Sequence, residues 1–190
     1  MLIAWIGASL GMDRSANNWP QMMLARLRVG KQPPIQFAAF GKEGAASSYW
    51  LSAGWVERAA AVRPDIVLYD VTPDANPGQG VSLAQSLANM YAAVDAVQAK
   101  NANAKVFLCT MNHMRSDATQ FANVTNYYAQ IDTVIANRSN VAKIDCYTAW
   151  GDPSLYPAEY SAGDPIHPLL AGNLRVTVPV VAAALSPLIT

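Results

Sequence analysis

Ile3-Ala4-Trp5-Ile6-Gly7-Ala8-Ser9-Leu10-Gly11 is an apolar run of strand length that breaks at a glycine, with a serine on the break. Asp13, Arg14 and Ser15 follow, and then Trp19, Met22, Met23, Leu24 and Leu27 recur at helical spacing up to Gly30. A strand that stops at a tight turn leaves its next side chain at the carboxyl edge of a sheet, where open α/β folds bind ligands. Ser9 is therefore a candidate nucleophile. A serine after a strand is ordinarily a turn or cap residue, so the remaining chain has to support the assignment.

The same alternation repeats down the chain. Ile35 to Phe40, Ile66 to Tyr69, Val106 to Cys109 and Val141 to Cys146 read as four further strands. Helical patterns lie between them: Ser47 and Ser48 offer N-caps to a helix carrying Trp50, Leu51, Trp55 and Val62. Ser82 with Gln85 forms a capping box ahead of Leu83, Leu87, Met90, Tyr91, Val94 and Val97. Asp117 with Gln120 opens a helix burying Phe121, Val124, Tyr128, Ile131 and Ile135. A long loop from Tyr147 to Ile166 precedes Pro168, placed at the first position of a last helix with Leu170, Leu174 and Val178 inward. Five β-α units imply a parallel sheet covered by helices on both faces, with every post-strand loop on one edge.

At 190 residues the chain is sized for one domain. Thirteen basic and thirteen acidic residues cancel, which gives no footprint for a nucleic acid. The opening residues lack a basic n-region and a cleavage site, and no apolar stretch reaches the roughly 18 residues of a membrane span. Neither a signal peptide nor a membrane partner is expected, and localisation is left open. Cys109 and Cys146 read as reduced core residues, with a cross-strand disulfide as the alternative.

The loops on the common edge collect Ser9, Gly44, Asp74, Asn76, Asn112, His113 and the segment Gly163-Asp164-Pro165-Ile166-His167-Pro168. A serine nucleophile needs a base that titrates near neutrality, and histidine supplies it. That base needs an orienting carboxylate. Asp164 lies three residues before His167, in a turn stiffened by Pro165 and Pro168. In isolation Asp164 is equally a cap or turn residue and His167 plain surface. Together with Ser9 they make a chemically matched set on one sheet edge. His113 is a rival base, but its loop offers no carboxylate closer than Asp117.

On these residues the chain resembles the SGNH (GDSL-type) hydrolases, a family of esterases and lipases. The resemblance implies a single domain over residues 1–190 with a flavodoxin-like three-layer α/β/α sandwich and a five-stranded parallel sheet. Gly7-Ala8-Ser9-Leu10 is similar to the family's Gly-Asp-Ser block, with Ala8 in place of the Asp. Gly44 matches the glycine whose N–H enters the oxyanion hole. Asp164-Pro165-Ile166-His167-Pro168 matches Asp-x-x-His-Pro. The third block, Gly-x-Asn-Asp, is altered: ungapped counting from Pro64-Asp65 puts Asp74 at the Asn, whereas the right chemistry sits two residues on, at Asn76. Gly7-Ala8-Ser9-Leu10-Gly11 also fits the α/β-hydrolase elbow, but only one strand precedes Ser9 and the acid and base share a loop.

The resemblance implies a serine esterase with Ser9, His167 and Asp164 as its triad and no cofactor or metal. The favoured substrate is a short acyl group, such as acetyl, on a carbohydrate. The alternative is a glycan- or surface-binding module of a larger protein, such as a viral tail, that has lost efficient turnover. Trp150, Tyr156 and Tyr160 are read as a binding rim or as packing for the long loop, while Trp5, Trp50 and Trp55 are read as core.

Overall fold

A computed structural model describes residues 1–8, 19–29, 34–115, 119–160 and 163–189. Ser9, Leu10, Gly11, Asp13, Arg14, Ser15, Gly30 and Asp117, on which several expectations fell, lie outside the described residues.

Five strands form one sheet: β1 (Leu2–Gly7), β2 (Gln36–Gly41), β3 (Ile66–Asp70), β4 (Lys105–Thr110) and β5 (Val141–Asp145). Their order is β2-β1-β3-β4-β5, and every pair is parallel. Side chains alternate between faces with the period of two that a strand imposes. Ala4, Ile6, Val67, Tyr69, Val106 and Leu108 pack on one side, and Ile3, Trp5, Ile66, Leu68, Phe107 and Ile144 on the other. Both sets are buried, which is why the strands read as continuous apolar runs rather than alternating ones. The sheet is thus the middle of three layers.

The first face is covered by α2 (Ser47–Ser52), α3 (Trp55–Ala61), α4 (Leu83–Lys100) and α5 (Val124–Asn137). The second is covered by α1 (Trp19–Arg28) and the C-terminal helices. Trp5 meets Trp19 edge-on at 5.3 Å across this second interface. At the carboxyl edge, β1 and β2 approach so closely at Gly7 and Gly41 that a Cβ on Gly41 would lie 2.0 Å from the Gly7 carbonyl oxygen. Only glycine fits there.

Several local expectations are corrected. Gly54 interrupts the Trp50–Val62 helix into α2 and α3, and the α2 cap position is Ala46 without a side-chain bond. Ser82 does cap α4, its Oγ accepting from Gln85 N at 3.2 Å, but Gln85 bonds Asn89 instead of returning to the cap. Cys146 opens a short helix, α6 (Cys146–Trp150), instead of closing β5, because Asp145 accepts from Thr148 N at 3.0 Å and turns the chain.

Pro168 pairs with Tyr160 as an isolated bridge, and the last helical run starts later, as α7 (Leu170–Gly172). A π-helical turn, Asn173–Thr177, joins it to α8 (Val178–Leu185). One extra residue in that turn rotates the buried face. Leu170 and Leu174 therefore point outward at 38% and 50% exposure, and Val176, Val178, Val181, Ala182 and Leu185 face inward. The run Leu170–Leu188 has the length and mean hydropathy (1.2) of a membrane span, contrary to the expectation that no stretch would reach it. Its inner face packs on the sheet and α1 as a core helix.

Cys109 and Cys146 are buried free thiols. Trp150 and Tyr160 are also buried, and Arg175 lies 3.7 Å from the Tyr156 ring centroid while bonding Glu159. Trp150 and Tyr160 thus pack the long loop, while Tyr156 stays exposed over Arg175.

Candidate active site

The loop after α6 carries Asp164 and His167. His167 Nδ1 lies 2.8 Å from Asp164 Oδ2, and Asp164 Oδ1 accepts the backbone N–H groups of Ile166 and His167, each at 2.9 Å. Burial pushes the Asp164 carboxyl up, but the two backbone donors and the imidazole outweigh it and hold the acid below its ordinary value. The carboxylate therefore stays ionised opposite Nδ1, which favours the imidazole tautomer that carries its proton there.

Two contacts fasten this loop to the exit of β4. Asn112 Nδ2 donates to Ile166 O at 2.7 Å, and Arg115 N donates to Pro165 O at 3.0 Å. Asn112 also reaches the Tyr160 hydroxyl at 3.3 Å, and that hydroxyl donates to His113 O. Asn112 was collected among the edge residues but given no role. Its contacts join segments some 50 residues apart, so nothing in the local sequence signals them.

His167 and Ile166 share a cavity of about 130 Å³ with Ala8, Gly44, Thr72, Pro73, Asn76, Gln79, Met114 and Phe121. Gly44 adopts φ +66°, a left-handed conformation suited to glycine. Its carbonyl accepts from Gln79 Nε2 at 2.7 Å, a clamp that sequence reasoning missed. Asn76 Oδ1 accepts from Gly78 N at 2.9 Å, which fixes the amide and leaves Nδ2 as an unengaged donor among the described residues.

Asp74 is placed differently. The 3₁₀ turn Thr72–Ala75 carries its carboxylate into the interior at 0% exposure. There it accepts from Ser47 N at 2.8 Å, Ser47 Oγ at 2.7 Å and Ser86 Oγ at 2.7 Å. Asp74 thus caps α2 from a distant loop and is absent from the cavity wall. Of the two third-loop candidates, the structure brings only Asn76 to the cavity shared with Gly44 and His167. The rival base His113 stacks on Tyr147 at 4.3 Å and bonds its hydroxyl at 3.1 Å.

Comparison with known proteins agrees with this geometry. The model of the GDSL-like lipase/acylhydrolase family matches residues 4–175. The chain belongs to that family. It is an ester-hydrolysing enzyme of the SGNH type. Among solved structures, the lipase/acylhydrolase from Enterococcus faecalis superposes with a TM-score of 0.77 at 15% identity, covering 100% of this chain and 97% of that one. Axe2, an acetylxylan esterase from Geobacillus stearothermophilus, gives a TM-score of 0.73 at 17% identity over 97% and 93%. A putative GDSL-like lipase from Parabacteroides merdae gives 0.68 at 18% over 98% and 95%. No curated protein matches by sequence. At these identities the solved structures speak for the fold of the hydrolase, and the family model for its class of reaction.

Proposed function

We propose that this hydrolase is a serine esterase that removes a short acyl group, such as acetyl, from a carbohydrate. Ser9 Oγ attacks the ester carbonyl while His167 Nε2 takes its proton, and Asp164 holds the imidazole. His167 returns the proton to the leaving alcohol, and a water activated by the same imidazole then releases the acid from Ser9. The N–H groups of Ser9 and Gly44 and the Asn76 amide donate to the oxyanion.

The observation that carries the reading is the His167–Asp164 pair, 2.8 Å apart, beside a cavity walled by Gly44 and Asn76. Two features support the substrate class. The cavity, about 130 Å³, is far below the roughly 300 Å³ where drug-sized pockets begin, and Ala8, Pro73, Met114, Phe121 and Ile166 give it apolar walls. Met114 and Phe121 also border a second cavity of about 240 Å³ whose polar lining includes His113, Arg115, Thr119 and Tyr147. A small acyl group suits the first space and a hydroxyl-rich alcohol the second. The likeness to an acetylxylan esterase points the same way.

A chain-length series of 4-nitrophenyl esters tests this. kcat/KM is expected to be highest for acetate and to fall at least about tenfold by octanoate, with turnover lost in Ser9→Ala. Preference for octanoate would contradict the short-acyl reading. Wild type no faster than Ser9→Ala would favour the binding-module alternative.

A further inference from the structure

Two cavities meet beside His167, and among the described residues only Met114 and Phe121 belong to the walls of both. The smaller space, about 130 Å³, holds His167, Gly44 and Asn76. The larger, about 240 Å³, is lined by His113, Arg115, Thr119 and Tyr147. Met114 is the more deeply set of the shared pair, at 6% exposure, whereas Phe121 is half-buried. The chain on either side of Met114 is tied to the segment that carries His167. Arg115 N donates to Pro165 O at 3.0 Å, and Asn112 Nδ2 donates to Ile166 O at 2.7 Å. The Tyr160 hydroxyl donates to His113 O. A methionine side chain is adaptable by itself, but burial and this anchored backbone hold its place relative to the imidazole.

We propose that Met114 is a specificity-determining residue: its side chain is the partition that confines the acyl group to the smaller cavity and leaves the larger one to the alcohol. The proposal rests on the short-acyl esterase reading of the site. An ester attacked beside His167 has two arms. The acyl arm ends against the buried Met114 side chain, so each added methylene has to displace packed atoms. The alcohol arm lies beyond the partition, among groups that hydrogen-bond. The selection is made by side-chain volume and not by charge. Truncating Met114 opens the smaller space into the larger one, and a longer acyl chain then has room to extend. Phe121, from the 3₁₀ turn Thr119–Phe121, remains as the other part of the boundary.

The test uses two isomeric esters, hexyl acetate and ethyl hexanoate, which carry a six-carbon chain on opposite sides of the ester bond. Each is followed by pH-stat in wild type, in Met114→Ala and in the smaller truncation Met114→Val. Wild type is expected to favour hexyl acetate in kcat/KM by at least about tenfold. Met114→Ala brings that ratio down toward one, and Met114→Val falls between them. A merely structural role lowers both rates together and leaves the ratio where it was. Wild-type preference for hexyl acetate with the same ratio in both folded variants would overturn the partition and leave the short-acyl reading standing. A wild type that favours ethyl hexanoate, or neither ester, removes the short-acyl reading, and the role of Met114 falls with it.

Discussion

Replacing Asp164 by asparagine is expected to lower kcat on a 4-nitrophenyl ester by about 10⁴-fold, and His167→Ala by at least as much. Asparagine keeps the size of the side chain, but its amide can present an N–H to Nδ1 and favour the tautomer in which Nε2 carries the proton. The nucleophile then has no acceptor for its proton. The loop itself is expected to survive, since Asn112 and Arg115 hold it through the Ile166 and Pro165 carbonyls. The side chains of Asp164 and His167 are each 39% exposed, so the melting temperature is expected to move little. A loss of less than tenfold in kcat would contradict the assignment. Asp164 also fixes the sign at low pH. Its folded value lies below the ordinary one, so its support for His167 is complete above the unfolded value and is lost as pH falls through the folded one.

The second large effect separates the two candidates of the third loop. Asp74→Ala strips the acceptor from Ser47 N, Ser47 Oγ and Ser86 Oγ, all inside a region where Ser47 and Ser86 are 0% exposed. Each stranded donor costs about 1–3 kcal/mol, so a loss of roughly 3–5 kcal/mol is expected, or about 10 °C in Tm for a chain of this size. Asn76→Ala should do the opposite: leave Tm nearly in place and lower kcat by about 10²–10³-fold, as removal of one oxyanion donor does. Thermal melts and initial rates on the two variants decide it, and an exchange of the two phenotypes would contradict the placement. Burial raises both Asp70 and Asp74. Their contribution to stability is therefore complete in acid and is lost as pH rises through the folded values, about 7 for Asp70. Asp70→Asn should flatten that decline.

What the sequence reveals follows the range of the forces involved. The central strands β1, β3 and β4 are legible because burial on both faces makes each a largely apolar run, from Ile3 to Ile6 and again from Ile66 to Tyr69. Asp164 and His167 are legible because three residues of chain suffice to bring them together. Asn76 and Asp74 could not be separated by counting, since a 3₁₀ turn decides which faces the cavity. Leu170 and Leu174 were assigned inward on a regular helical period that the π-helical turn breaks. Gln79 on Gly44, Asn112 on Ile166 and Asp74 on Ser47 all join segments distant in the chain. A carboxylate in such a place looks the same in sequence whether it binds substrate or caps a helix.

The proposed reaction requires Ser9 as a nucleophile activated by the His167–Asp164 pair. Labelling with a fluorophosphonate, read by peptide mass spectrometry, tests this most directly. One equivalent of adduct is expected on the peptide containing Ser9, absent in Ser9→Ala and formed much more slowly in His167→Ala. Loss of esterase activity with the adduct on any other residue would contradict it.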